Sequence, residues 1–280
     1  MLWRADEGHG NRFSREKCSF ALRQLARHPL WSQDRARNAT CIELGTGALN
    51  PFGSLMPFLA LGARRIIALD LEPVVDLAMI GRFAFEQLAD IALDPKGYLG
   101  PAAPDSAEIL RSIAWMDLPA LRRGDTTWAP ADRITLINSP ADRTDLETDS
   151  VDLSVSVSFF EHVPDVESVL AELARVMKPG AIATHTIDGR DHRCYQKDRQ
   201  HELAFLADPT ASALVHGCNR VRPLGFGELF ERHGFRVFET KPGRTIQVSD
   251  ELRSSLVEPF RSMPTEHLET LEATFHIERR

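Results

Sequence analysis

Cysteine is scarce in this sequence and does not cluster. Cys18, Cys41, Cys194 and Cys218 are the only four in 280 residues, with no C-x-x-C pair and no zinc-finger spacing. A disulfide framework or a structural zinc knuckle is therefore not indicated, and reduced thiols in a cytoplasmic protein are the expectation. No run of 18 apolar residues occurs, so no membrane-spanning helix is expected. The first residues, Met1-Leu2-Trp3-Arg4-Ala5-Asp6-Glu7, lack the apolar stretch of an export signal, and the sequon Asn38-Ala39-Thr40 then carries no weight. Long basic runs are missing too, and the net charge is −7. Nucleic-acid backbones and anionic membranes are poor partners for such a chain. There is no internal repeat.

The composition is that of a globular protein, 43% hydrophobic and 26% charged, enough for a sizeable core. The length suits a single α/β domain, residues 1–280, that carries insertions. Apolar spacing predicts an N-terminal helix over 13–28, a first strand over 40–44, a helix over about 54–61 and a second strand over 65–70. The next strand candidate begins at Arg133, more than sixty residues past Asp70, where a βαβ step needs roughly thirty. The excess, about 74–130, reads as a helical insertion, with helices near 75–92 and 105–123 around the Pro/Gly-rich break at 94–101, and its place suggests a cap over the site. Strands follow at 133–137, 151–158, 181–187, 235–239 and 273–277, with helices near 166–177, 225–233, 249–259 and 265–270. This alternation predicts a Rossmann-like α/β fold: a mostly parallel seven-stranded sheet, helices on both faces, and an antiparallel last strand. Residues 193–218 are polar and carry no clear period.

The densest signal is Glu43-Leu44-Gly45-Thr46-Gly47, after the first strand, with Asp70 at the tip of the second. A glycine turn after one strand and an acid ending the next is how an open α/β sheet holds a nucleoside. The third glycine of a dinucleotide fingerprint is replaced by Asn50, so a cofactor pyrophosphate is not implied.

At these residues the chain resembles the class I S-adenosylmethionine-dependent methyltransferases of the small-molecule type. Glu43 to Gly47 match the family's first motif, Ser150 to Ser156 its fourth strand, and Phe160-Glu161-His162-Val163-Pro164-Asp165 the block after it. Leu173 to Gly180 is similar to the family's Arg-Val-Leu-Lys-Pro-Gly-Gly turn, and the run from Asn219 to Phe235 to its last helix and sixth strand. The resemblance spans roughly 38–240. It implies S-adenosylmethionine as cofactor, held by Glu43, Gly45, Thr46, Gly47, Asp70, Leu71, Ala141, Asp142 and Ser158. Glycine lets the backbone approach the methionine part closely. Glu43 suits its ammonium, Asp70 accepts from both ribose hydroxyls, and Leu71 packs on adenine. Ala141 and Asp142 fall in the loop flanking adenine, where this sequence departs from the family by placing Pro140 at the usual acid position.

Methyl transfer to oxygen needs a base, and open sheets of this kind place it beyond the carboxyl ends of strands four and five. His162 lies there, as do Asp188 and His192 in the run His185 to His192; these three are the catalytic candidates. His185 reads as a residue that points into the sheet or pairs locally. His185, Asp188, Asp191 and His192 have metal-ligand chemistry, but the run reads equally as a polar loop, and no metal is expected. Tyr195, Lys197, Arg199, His201 and Phe205 are pocket candidates, and Arg220 and Arg222 could bind an anionic acceptor or make surface ion pairs. The expected activity is methyl transfer to a small-molecule acceptor, a sugar or secondary metabolite, at oxygen; an NAD(P)-dependent oxidoreductase and a non-catalytic nucleoside-binding protein remain as alternatives.

Overall fold

The computed structural model describes residues 18–74, 76–125, 130, 132–197, 199–210 and 212–280. Seven strands form one sheet: β1 (Thr40–Leu44), β2 (Arg65–Asp70), β3 (Ile134–Asn138), β4 (Val151–Val157), β5 (Met177–Asp188), β6 (Phe235–Pro242) and β7 (Glu272–Arg279). Their order is β3-β2-β1-β4-β5-β7-β6. The first five run parallel, and β7 lies antiparallel between β5 and β6. The chain order reverses beside β1, between β1 and β4, which is where a sheet of this topology opens a crevice at its carboxyl edge.

Both faces of the sheet are covered, so the central strands are apolar without alternation. All five residues of β1 are buried. Successive side chains still point to opposite faces. Cys41, Ala68 and Leu153 meet one core cluster, beneath α1 (Phe20–Leu25), α2 (Met56–Ala60), α3 (Leu77–Leu93), α4 (Pro95–Leu99), α5 (Ser106–Ser112) and α6 (Leu118–Arg123). Ile42, Leu44, Ile67 and Leu69 meet the other, beneath α7 (Val166–Val176) and α8 (Phe226–Arg232). A third cluster joins Leu203, Phe205, Leu206, Val215 and Cys218 to α9 (Asp250–Ser255) and α10 (Thr265–Glu269) through Leu256, Phe260, Leu268 and Leu271. Among the described residues no helix is long and apolar enough to cross a membrane.

The described residues of the segment 74–130 form α3 to α6, and they are part of the core. Ile80, Ala84, Leu88 and Ile91 of α3 are buried with Phe52 and Met56, and the Gln87 side chain donates to the Gly53 carbonyl behind the glycine turn. The helix expected over 105–123 is two helices. Asp117 caps α6 by accepting from Ala120 N, and Pro119 sits in the first turn, so the chain restarts there. The break at 94–101 holds the short α4, capped by Asp94. Part of the N-terminal helix, 13–17, lies outside the described residues, as do Val75 and 126–129 of the insertion. Lys178-Pro179-Gly180 ends α7 as expected, but β5 already begins at Met177, and an irregularity in its pairing with β4 absorbs the extra residues.

One polar contact positions a loop that matters below. Glu172 on α7 accepts from the Thr144 backbone N–H (2.9 Å) and hydroxyl (2.6 Å) and from Arg175 Nε (2.7 Å) and Nη2 (2.8 Å), tying the 139–146 loop to the helix. The bond from Arg175, aided by those from Thr144, outweighs burial and draws the carboxyl down to about 2. A lowered folded-state pKa stabilises above the unfolded value, about 4.3, and that contribution fades as pH falls toward 2. Glu172→Gln is therefore expected to lower the urea midpoint at pH 7, with the gap to wild type closing between about pH 4.3 and 2. A gap that stays constant down to pH 2 would contradict this.

Candidate active site

On the cofactor side, β1 delivers Glu43 and the turn, and β2 delivers Asp70. Gly45 and Gly47 both have positive φ, +73° and +76°, a region costly for any side chain. Gly45 N–H donates to Leu69 O at 2.8 Å, which locks the turn to the end of β2. Gly47 N–H donates to Asp70 Oδ2 at 2.6 Å, and Glu72 N–H to Asp70 Oδ1 at 2.9 Å. Among the described residues, each carboxylate oxygen of Asp70 thus keeps one acceptor position free. Asn138 Nδ2 donates to the carbonyls of Asp70 and Leu71, at 2.9 and 3.0 Å, and fixes the chain that presents Leu71. Leu71 is 69% exposed, an apolar side chain of this size standing open beside the turn. Ala141 is half-buried, Asp142 exposed, and Ser158 exposed at the end of β4 with φ +53°.

One group here is short of partners and another is a buried acid. Thr46 Oγ1 is buried without a hydrogen bond among the described residues. Glu43 is buried, and that burial pushes its carboxyl up to about 8; the Asp70 charge adds to the rise and a hydrogen bond from Ser54 opposes it. A β-carbon on Gly47 would meet nothing within 4 Å. An empty approach over a glycine, a protonated acid behind it, an orphaned hydroxyl and an open leucine suit a ligand with a cationic head, a polyhydroxylated ring and a flat apolar base.

The other half of the site lies at the ends of β4 and β5. A short 3-10 turn, Phe160–His162, follows β4, and another, His192–Tyr195, follows β5. They bring the His162 and His192 rings to 4.7 Å between centroids, and Tyr195 within 5.5 Å of His192. His162 Nδ1 donates to Gly217 O at 2.8 Å. Burial lowers its pKa, with the neighbouring His192 acting the same way and the Gly217 bond opposing. Asp188 is buried and surrounded by donors: Arg190 N (3.1 Å) and Nε (2.7 Å) on Oδ1, Arg190 Nη2 (2.8 Å) and the Tyr195 hydroxyl (2.8 Å) on Oδ2. His192 Nε2 stands 3.5 Å from Oδ2. Burial alone would raise the Asp188 carboxyl, but the adjoining His192 imidazole, the bonds from Arg190 and Tyr195 and the Arg190 charge hold it well below the usual carboxylate range.

The structure therefore brings His162, Asp188 and His192 together, but Asp188 has no free acceptor position and stands behind His192. The set His185, Asp188, Asp191 and His192 does not assemble: His185 is buried in the sheet with Nδ1 bonded to Ser156 Oγ at 2.8 Å, and Asp191 is bound by Arg193. Burial drives His185 down to about 3, so it is neutral. Arg220 and Arg222 are not anion receivers. Arg220 donates to the carbonyls of Asp208 and Thr210, and buried Arg222 to those of Gly189, Leu268 and Thr270. Phe205 is core of the third cluster and His201 Nδ1 accepts from Leu203 N.

Sequence reasoning put Glu161 with His162 in one of the two clusters where a base could sit, but kept only His162 of that pair as a candidate. It is 2% exposed, neither of its carboxylate oxygens has a hydrogen-bond partner among the described residues, and burial raises its pKa well above the ordinary value. Cys218, 4.0 Å from His162 Nδ1, was also missed. Asn219 ties residues 215–219 to the turn after β4, its side chain donating to Phe160 O and Val163 O while its own N–H reaches Glu161 O. The signal for this cap was the apolar set Leu203, Phe205, Leu206, Val215 and Cys218, which has neither helix nor strand period.

A family model described as a methyltransferase domain matches residues 116–184, from the insertion through β3, β4 and α7 into β5. No curated protein matches the sequence. Among solved structures, the chain is similar to one from the complex between the Haloferax volcanii Trm112 methyltransferase activator and a methyltransferase, at 17% identity over 99% of this chain and 96% of that one, with a TM-score of 0.51. It is also similar to an S-adenosylmethionine-dependent methyltransferase from Mesorhizobium loti (16% identity, 95% and 98% covered, TM-score 0.47). A geranyl diphosphate C-methyltransferase from Streptomyces coelicolor, seen with Mg2+, geranyl diphosphate and S-adenosyl-L-homocysteine, is similar at 12% identity (94% and 78% covered, TM-score 0.47). The first of these supports the fold; the other two are similarities and nothing more.

Proposed function

We propose that this chain, a class I S-adenosylmethionine-dependent methyltransferase, methylates a small-molecule acceptor at oxygen. Glu43 would take the cofactor's ammonium, Asp70 its ribose hydroxyls through the two acceptor positions left open, and Leu71 its adenine, with Ala141, Asp142 and Ser158 around the rim. When bound, the cofactor supplies an electrophilic methyl on a sulfonium, and the protein's share of the work is alignment and proton handling.

The observation that carries the oxygen reading is the imidazole pair across the sheet from the glycine turn. His162 and His192 stand 4.7 Å apart, one anchored on the Gly217 carbonyl and the other beside Asp188. Such a pair can orient an acceptor hydroxyl and draw on its proton, and Asp188 serves it as a positioning residue. The small acceptor is the reading kept for this end of the sheet, where the cluster of Leu203, Phe205, Leu206, Val215 and Cys218 with Leu256, Phe260, Leu268 and Leu271 is tied to the His192 turn by Asp191 N–H on Glu202 O.

Calorimetric titration with S-adenosylmethionine, S-adenosylhomocysteine and NADH tests the cofactor half. Both sulfur nucleosides are expected to bind, and tight NADH binding with no heat from either of them would overturn it. Asp70→Ala is expected to weaken S-adenosylhomocysteine binding more than tenfold, since a charged hydrogen bond contributes about 1.5–3 kcal/mol. Labelled methyl transfer into the small-molecule fraction of a cell extract tests the acceptor half; label found only in protein or RNA would count against it.

A further inference from the structure

Two overlapping sets of donor side chains meet where β4 and β5 end. His162, His192 and Cys218 make one; Glu161, Asp188 and His192 make the other. Within each set, one donor atom per residue lies within 4.8 Å of the others, and His192 belongs to both. Buried polar atoms in folded proteins are almost always hydrogen-bonded. Here both carboxylate oxygens of Glu161 and Nε2 of His192 are buried with no hydrogen bond among the described residues, the last within ion-pair reach of Asp188 but outside bonding geometry.

The other groups sort themselves by what they already hold. All four acceptor positions of Asp188 are filled by Arg190 and Tyr195. It therefore has nothing left to offer an ion, and its Oδ2 faces His192 Nε2 at 3.5 Å without a hydrogen bond. His162 is held by the backbone. A carbonyl can only accept, so Nδ1 carries the proton toward Gly217 O and Nε2 keeps the lone pair. Cys218 is 1% exposed and adjoins His162. The nearby cations do not occupy the place: Arg190 is turned onto Asp188, and Arg222 onto backbone carbonyls. What remains is one carboxylate, two imidazoles and one thiol, the donor mixture that selects zinc among biological divalent ions.

The geometry points to a divalent transition-metal site of the zinc class, held by Glu161, His162, His192 and Cys218, with the Gly217 carbonyl orienting the His162 imidazole. This deepens the oxygen-methylation reading, on which its use rests: four protein donors close a zinc-class site, so the ion would tie the two acceptor-side turns together and fix where the acceptor can sit. Its test reads the ion and not turnover.

The full chain, stripped with a chelator, is titrated with Co2+ alone and followed by visible ligand-field bands and thiolate-to-cobalt charge transfer. S-adenosylhomocysteine calorimetry confirms that the stripped protein is folded. One Co2+ per chain is expected, displaced by Zn2+. Cys218→Ser is expected to lose the charge-transfer band, and Glu161→Gln to bind at least about tenfold more weakly. Folded wild-type protein that shows no bands at saturating Co2+ overturns the site, as do bands unchanged in both variants. Should a variant fail to fold, the wild-type stoichiometry and charge-transfer band decide alone. Loss of cofactor binding with the bands intact would sink the methyl-transfer reading instead.

Discussion

Gly45→Ala is expected to abolish cofactor binding and to destabilise the fold as well, whereas Gly47→Ala abolishes binding while leaving most of the stability. The two glycines share a positive φ, +73° and +76°, and an alanine pays about 1–2 kcal/mol for that at either place. They differ in their surroundings. A β-carbon at position 45 would lie 2.6 Å from Phe159 Cδ2 and 3.0 Å from Phe159 Cβ. The second contact is to the root of the side chain, so a ring flip does not relieve it; Phe159, its backbone or the turn must shift. Overpacking of that kind adds about 1–3 kcal/mol. The sum, about 2–5 kcal/mol, is a large part of the 5–15 kcal/mol that holds a typical domain folded. At position 47 the same carbon meets nothing, so the added methyl projects into the space proposed for the methionine part. Urea midpoints and S-adenosylhomocysteine titrations of both variants check the contrast. Gly47→Ala binding within about threefold of wild type would mean that the open side of the turn is not the cofactor's place.

That contrast marks how much of the site could be read from the sequence. The turn, Glu43 and Asp70 were legible because the determinants are local: strands of five and six residues, each ending in its functional group. Helix α7 was legible for the same reason, with Asp165 capping Ser168 N–H at one end and Pro-Gly at the other. Its amphipathic stripe, Val166, Val169, Leu170, Leu173, Ala174, is a helical period that needs no tertiary help to be seen. The acceptor side was only half legible. His162 and His192 were named, but their meeting depends on two short turns after different strands, 30 residues apart in the chain. Asp188 looked like a base until Arg190 and Tyr195 closed on it. Arg222 looked like an anion receiver, but the cap's backbone carbonyls surround it. Burial of a single charged residue leaves no trace in apolar spacing, so the sequence did not show that Glu161 is 2% exposed.

The largest pH effect is expected at Glu43. In the free protein burial pushes its carboxyl up to about 8, so at pH 7 roughly nine chains in ten hold the proton. The proposed partner is an ammonium, which binds the anion and not the acid. Binding must then expel that proton, and acid opposes it. S-adenosylhomocysteine affinity is expected to rise by up to about tenfold per pH unit between 6 and 8. The rise stops near 8, because Glu43 is by then ionised. Titrations at pH 7 in buffers of differing ionisation enthalpy should count close to one proton released per ligand. Glu43→Gln, which has no proton to lose, should flatten the pH dependence, falling more than about tenfold behind wild type at pH 8 and converging with it toward pH 6. The same burial gives the free protein an opposite slope. An acid whose folded-state pKa is raised stabilises the fold below its unfolded value, about 4.3, and that contribution drains away as pH climbs toward 8. Ligand affinity and free-protein stability should therefore run against each other across the same interval. A wild-type affinity that stays flat from pH 6 to 8 would remove Glu43 from the cofactor's ammonium and leave it a buried acid of β1.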